Sequence, residues 1–249
     1  MKPTKFINEH QANDEIADVV LIDEAHLLWT QGKQSYRGDN QLADILNHAR
    51  VVIAVFDPMQ CLAGNQYWTD EELEVLEVRA GDSKIVELSE QMRIDSDGPA
   101  EKWIRQLVYE GQVGLIPKND KYKIEVFNSP EDLHSTIRAK SAPAKDTEVE
   151  KGLSRLITTY DWQFSSGKPR PKDSATWDVV IGVFRMPWNN QGKYSRVEKN
   201  LSWAERDQTV DEVGSIFTVQ GFDLNYAGVI IGPSVKYRNG TIIFDADES

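Results

Sequence analysis

Val19-Val20-Leu21-Ile22-Asp23-Glu24-Ala25-His26 is the stretch whose reading decides the fold. Residues 18–22 form an apolar β-strand that runs directly into two acids, and in α/β proteins ligands bind beyond the carboxyl ends of the strands. Asp23 and Glu24 therefore stand where chemistry is expected. Adjacent carboxylates need a reason to be together. A magnesium ion supplies one: Asp23 holds the metal, directly or through water, while Glu24 polarises a water that attacks a γ-phosphate. The plain alternative is that the pair caps the helix that follows.

Outward from this strand the same pattern recurs. A polar loop leads to a helix over residues 41–48 and to a second strand, 51–56, whose unbroken apolar run suits a sheet buried on both faces. It ends in Phe56-Asp57-Pro58-Met59-Gln60. Thr69 and Glu72 form a capping box opening a helix through Val78, and Pro99 opens a helix with Trp103, Leu107 and Val108 on one face; both helices are expected to pack on sheets. A short strand at 123–127 precedes Ser129, Pro130 and Asp132, the start signal of a helix carrying Leu133 and Ile137. Later strands are predicted at 153–159, 177–182 and 227–231, with surface loops at 139–152 and 165–175. Strands alternating with helices predict an α/β fold with parallel sheets. The domain junction falls at 85–98, dividing residues 1–92 from 93–249.

Bulk composition narrows the function. A chain of 249 residues, 40% apolar and 27% charged, has room for one large or two smaller cores. Its longest apolar run, 51–56, is too short to span a bilayer, and no signal peptide is visible, so no membrane partner is expected. One cysteine and four histidines without a spacing pattern exclude a disulfide framework and a structural zinc site, which points to a reducing cytoplasm. The net charge of −12 excludes a globally basic nucleic-acid binder, so any such surface must be local. Trp162 and Trp188 could stack on bases or pack in the core, and Lys168, Arg170 and Lys172 could touch phosphates or simply be solvated. His26 is expected to join the acidic pair to the neighbouring motif by hydrogen bonding, with packing as the alternative. Cys61 reads as a small buried apolar residue.

Three elements now agree. Asp23-Glu24 at a strand end, Asp57 and Gln60 at the next, and Leu88-Ser89-Glu90-Gln91-Met92-Arg93 beyond them resemble the motifs of superfamily 1 helicases: Asp-Glu, Gly-Asp-x-x-Gln and Leu-x-x-x-Tyr-Arg. The resemblance implies that Gln60 contacts the γ-phosphate and reports its loss. It implies that Arg93 reaches the same phosphate across the cleft, where its planar, always-charged fork binds phosphate oxygens. Read alone, Gln60 could be a turn residue and Arg93 half of a surface ion pair. Gly214-Ser215-Ile216-Phe217-Thr218-Val219-Gln220-Gly221-Phe222-Asp223 looks like the family motif that precedes a second-domain strand. By that likeness Asp57, Gln220, Gly221 and Asp223 belong to the nucleotide side of the cleft, with Asp223 in place of the family's Glu; an ordinary turn is the alternative. The phrases Val-Leu-Ile-Asp-Glu-Ala-His-Leu-Leu, Glu-Gln-Met-Arg-Ile, Thr-Tyr-Asp-Trp and Thr-Val-Gln-Gly-Phe-Asp, spread over residues 19–233, are similar to the bacterial helicase-like ATPases called domain of unknown function 2075, relatives of the Schlafen helicase-like region.

That likeness implies two RecA-like domains, the first incomplete, clamping ATP and Mg2+ and acting on single-stranded DNA or RNA. It also exposes what the sequence lacks. No Gly-x-x-x-x-Gly-Lys-Ser/Thr occurs in the 249 residues, although backbone amides and lysine of that loop normally hold the β- and γ-phosphates. The family's last arginine motif is missing too. The expectation is a motor fragment inactive by itself, completed by an upstream segment or a partner chain, with Gln60, Arg93 and Asp223 gathered on one cleft facing Asp23 and Glu24. A reading of another class is a non-catalytic module that binds nucleic acid or protein.

Overall fold

The computed structural model describes residues 1–32, 36–57, 60, 64–81, 84–88, 98–141, 152–165, 169–172 and 174–248, which fall into two compact units, Met1–Ser89 and Glu90–Ser249. Both mix helices with parallel strands.

The first unit opens with α1 (Pro3–Asn13), a helix absent from the sequence expectations although Pro3 occupies its first turn, where a missing N–H costs nothing. Strand β1 (Ala17–Ile22) pairs in parallel with β2 (Ala49–Ala54), in the register Val19↔Val51 and Leu21↔Ile53. Helix α2 (Gln41–Asn47) connects them, and its cap Asn40 accepts the Ala43 N–H. One face of the pair is covered: Val20, Ile22 and Val52 join Ile7, Leu42 and Ile45 in one apolar cluster. The other face corrects the expectation of a sheet buried on both sides. Val19, Leu21, Val51 and Ile53 stand 49–73% exposed, because only one layer of helices among the described residues packs on these strands. Helix α3 (Asp70–Ala80) carries the expected Thr69–Glu72 capping box; it touches the core through Leu73 and Leu76 and buries no residue fully.

The second unit begins with α4 (Pro99–Tyr109), whose Trp103 Nε1 donates to Gly114 O at 3.0 Å rather than packing on a sheet, while Val108 is exposed. Residues 123–127 correct a second expectation: their apolar alternation forms no strand, since no described strand lies beside them to pair. Helix α5 (Pro130–Ser141) starts where expected, with Ser129 Oγ accepting the Asp132 N–H. It lies on β3 (Ser154–Thr158), the centre of an all-parallel sheet ordered β6-β3-β7. Hairpin β4 (Asp178–Ile181) and β5 (Phe184–Pro187) precedes β6 (Val213–Gly214), α6 (Ile216–Val219) and β7 (Tyr226–Ile230). A second hairpin, β8 (Val235–Arg238) and β9 (Thr241–Phe244), turns on Asn239-Gly240, both at positive φ as a tight hairpin turn requires. The two hairpins are antiparallel, where the sequence pattern led to parallel strands alone.

The core of this unit joins Ile137, Leu156, Val179, Phe184, Met186, Trp188, Val213 and Ile230. Gly228 permits it: a Cβ there would meet Leu156 Cδ2 at 2.6 Å and Ile137 Cγ1 at 2.8 Å, so α5 can sit this close to the sheet only over glycine. Arg155 is buried at the edge of the same core. Its guanidinium donates to Thr209 Oγ1, Ser141 Oγ, Ser154 O and Arg206 O, pinning the 206–211 turn to the sheet while burial pulls its pKa down. Among the described residues no helix is long and apolar enough to cross a membrane.

Candidate functional site

Strand β1 delivers Asp23 and Glu24 just past its last residue, and the ladder with β2 continues through Val55 N→Ile22 O (2.8 Å) and Ala25 N→Val55 O (2.7 Å). Both strand ends are thus tied together at their carboxyl side. Glu24 adopts a left-handed backbone, φ 53°, a conformation that non-glycine residues enter at a cost. The reading of the acids as a helix cap fails: Glu24 is the cap of the short turn Ala25–Leu27 but its side chain makes no capping bond, and Asp23 Oδ1 accepts the Glu24 N–H at 3.0 Å. Asp23 is exposed and Glu24 half-exposed.

His26 sits buried between the two strand ends. Its Nδ1 accepts the Asp57 N–H at 3.2 Å, and its Nε2 lies 2.9 Å from Glu24 Oε2, an ion-pair distance outside hydrogen-bond geometry. With Nδ1 accepting, the ring proton belongs on Nε2, facing the carboxylate. Phe56 meets the imidazole edge-on at 6.2 Å and so holds its plane. Beyond it, Gln60 Nε2 donates to Asp57 Oδ2 at 2.7 Å and Gln60 N to Asp57 O at 3.1 Å, so the exposed Gln60 amide is held by the acid at the second strand end. Asp23, Glu24, Asp57 and Gln60 are therefore brought together within one unit by two parallel strands and one histidine. Arg93 and Cys61 lie outside the described residues.

A magnesium ion fits this end of the sheet in one way. It commonly takes one protein carboxylate and completes its shell with water and phosphate oxygens. The exposed Asp23 offers such a carboxylate, and among the described residues no group of three or more His, Cys, Asp or Glu builds a closed cage.

In the second unit the Gly214–Asp223 segment begins at the last residue of β6. Ser215 and Thr218 cap α6 reciprocally, with Ser215 N→Thr218 Oγ1 at 2.8 Å, and a Cβ on Gly214 would strike Thr218 Oγ1 at 2.6 Å. Gly221, at φ 76°, needs glycine for its backbone and has open space around its Cα; Gln220 is half-buried before it and Asp223 exposed after it. At the neighbouring strand ends Asp161 bonds to the Thr159 hydroxyl and accepts the Ser234 N–H at 3.1 Å, locking the turn after β3 to the one after β7.

The weaker sequence signals divide. Trp188 is wholly buried in the core, which decides for packing over base stacking, and Trp162 is half-buried with Nε1 donating to Val180 O. Arg170 bonds Ala175 O, and Lys168 lies outside the described residues. The sequence reading passed over Asn189 and Asn190, both left-handed at φ 64° and 62°, for which the Asn-Asn pair was the available turn signal.

Comparison with known proteins completes the picture. No solved structure matches the chain. An uncharacterized protein of Saccharomyces cerevisiae is 32% identical over 257 residues, covering 95% of this chain and 53% of that protein, so the chain spans about half the length of this relative. The family described as Schlafen group 3, DNA/RNA helicase domain, matches residues 1–249. With acids at one strand end, an Asp-Gln pair at the next and a match over its whole length, the chain belongs to the Schlafen group 3 DNA/RNA helicase domain family.

Proposed function

We propose that these residues are part of a superfamily 1-type motor that hydrolyses ATP and works on single-stranded DNA or RNA in the cytoplasm, akin to the bacterial domain of unknown function 2075. One observation carries this reading: neighbouring parallel strands bring Asp23-Glu24 and Asp57-Gln60 to the same sheet end, with buried His26 bridging them. Glu24 is the base that orients the attacking water, and the buried His26 ring lies against its carboxylate. Gln60 senses the γ-phosphate and Asp57 holds Gln60; Arg93, Gln220, Gly221 and Asp223 are nucleotide-contacting residues on the family likeness alone. Asp23 would hold Mg2+, which when bound neutralises phosphate charge.

The 249 residues contain no Gly-x-x-x-x-Gly-Lys-Ser/Thr, and in the proposed motor the phosphate cradle comes from outside them. The purified chain is therefore expected to hydrolyse ATP at the background rate, measured by phosphate release. Robust turnover that disappears in Glu24→Gln would overturn the need for an outside loop. A second reading, a non-catalytic module, is favoured by the bare apolar face of Val19, Leu21, Val51 and Ile53, which suits a covering layer from a partner. It gains if a phosphate-binding loop joined to these residues restores nucleotide binding without turnover.

A further inference from the structure

Tyr160 and Phe217 follow the carboxyl ends of β3 and β6, two neighbouring parallel strands, and their rings meet edge to face with centroids 5.5 Å apart. Both remain in water, Tyr160 at 44% and Phe217 at 51% exposure. Their support is rigid. Buried Trp188 lies under Tyr160, centroids 4.9 Å apart, so the space into which the phenol could turn is already filled. Asn189 Nδ2 donates to the Tyr160 hydroxyl at 3.2 Å, Ser215 Oγ donates to Asn189 Oδ1 at 2.7 Å, and Asn189 N donates to Val213 O at 2.9 Å. On the far side Arg206 Nη1 donates to Asn190 Oδ1 at 3.0 Å. Asn189 and Asn190 both take the left-handed backbone that asparagine tolerates, and these contacts hold them in it. Asp161, next in sequence to Tyr160, has both carboxylate oxygens engaged, by the Thr159 hydroxyl and the Ser234 N–H.

A pair of exposed aromatic rings, ordered in advance at the ligand-binding end of a parallel sheet, is complementary to a flat π-system. We propose that Tyr160 and Phe217 form a stacking platform for a nucleobase, which deepens the nucleic-acid reading above and rests on it. The base can belong to a single strand or to a free nucleotide, and stacking is the same chemistry for both.

The test uses the full 249-residue chain with three probes: fluorescein-labelled (dT)20, a (dT)20 carrying one 2-aminopurine, and mant-ATP. Tyr160→Leu and Phe217→Leu are each expected to weaken strand binding about tenfold, within the range that one base-aromatic stack supplies. They should also relieve 2-aminopurine quenching. Phe217→Trp and Tyr160→Trp should restore both, and Phe217→Leu, on an exposed site, should melt like the unsubstituted chain. Loss confined to mant-ATP would assign the base to a free nucleotide and sustain the platform. Leucine variants that bind every probe as well as the unsubstituted chain, or a tryptophan rescue that fails at unchanged melting temperature, would overturn it. An unsubstituted chain that binds neither strand nor nucleotide overturns the platform and the nucleic-acid reading together, whereas binding that is indifferent to both residues overturns the platform alone.

Discussion

His26→Ala should destabilise the first unit by about 3 kcal/mol. The ring is buried, packs edge-on against Phe56, and provides the acceptor for the Asp57 N–H at 3.2 Å. Truncation orphans that donor, at about 1–3 kcal/mol, and leaves a cavity smaller than the ~3–5 kcal/mol seen for Phe or Trp truncations. Two contributions of about 1.5 kcal/mol each give the total. In a cooperative unit of this size about 1 kcal/mol moves the midpoint by roughly 4–8 °C, so the first unit's transition should fall by roughly 12–24 °C in scanning calorimetry. His26→Asn keeps an acceptor near Nδ1 and should recover about half of the loss. A His26→Ala protein that melts within about 2 °C of the unsubstituted chain would show that the bridge between the two strand ends contributes nothing, and the geometry assigned to Glu24 would lose its support.

Leu156→Ala, at a wholly buried position in the central strand of the second unit, should cost about 2–5 kcal/mol in denaturant unfolding, and Gly228→Ala about 1–3 kcal/mol, because its new methyl collides with Leu156 and Ile137. A neutral result at either position would contradict the packing of α5 on β3 and β7. Burial pushes the Asp178 carboxyl up, but hydrogen bonds from Thr176, Ser174 and Arg185, with the Arg185 charge, together outweigh it and hold the group below the usual carboxylate range. Its stabilising contribution is therefore fully present above about pH 4 and lost as pH falls through the depressed folded value. Asp178→Asn should flatten the acid limb of a stability-versus-pH curve, and an unchanged limb would refute that assignment. Leu21→Glu, on the bare face of β1, should leave the melting temperature nearly unchanged while reducing self-association in sedimentation; early melting would mean that Leu21 is covered after all.

What was legible in the sequence was local. An apolar run ending in Asp23-Glu24, the Thr69–Glu72 capping box and the Ser129-Pro130 start each carry their cause within a few residues, and each is found where the pattern placed it. His26 between two strand ends followed from the same adjacency. What was not legible depended on distant partners. Residues 51–56 look fit for burial on both faces, yet coverage is decided by which layers pack there, and one face of β2 stays bare. Residues 123–127 alternate like a strand but find no neighbour among the described strands. Trp188 reads equally as a stacking or a core residue until β5 carries it under Tyr160. The hairpin over Asn239-Gly240 and helix α1 are exceptions that do carry local signals, an Asn-Gly turn and Pro3.

The role proposed for Glu24 is that of the base in an ATP-hydrolysing site whose metal carboxylate is Asp23. It is tested most directly in a protein that joins these residues to a phosphate-binding loop, by comparing steady-state phosphate release and mant-ATP affinity for the unsubstituted form and Glu24→Gln. Removing a general base costs on the order of 10²–10⁴-fold in rate, while the metal ligand and phosphate contacts are untouched. Turnover is expected to fall by that factor at unchanged nucleotide affinity; unchanged turnover, or affinity and rate falling together, would refute the role of Glu24 as base.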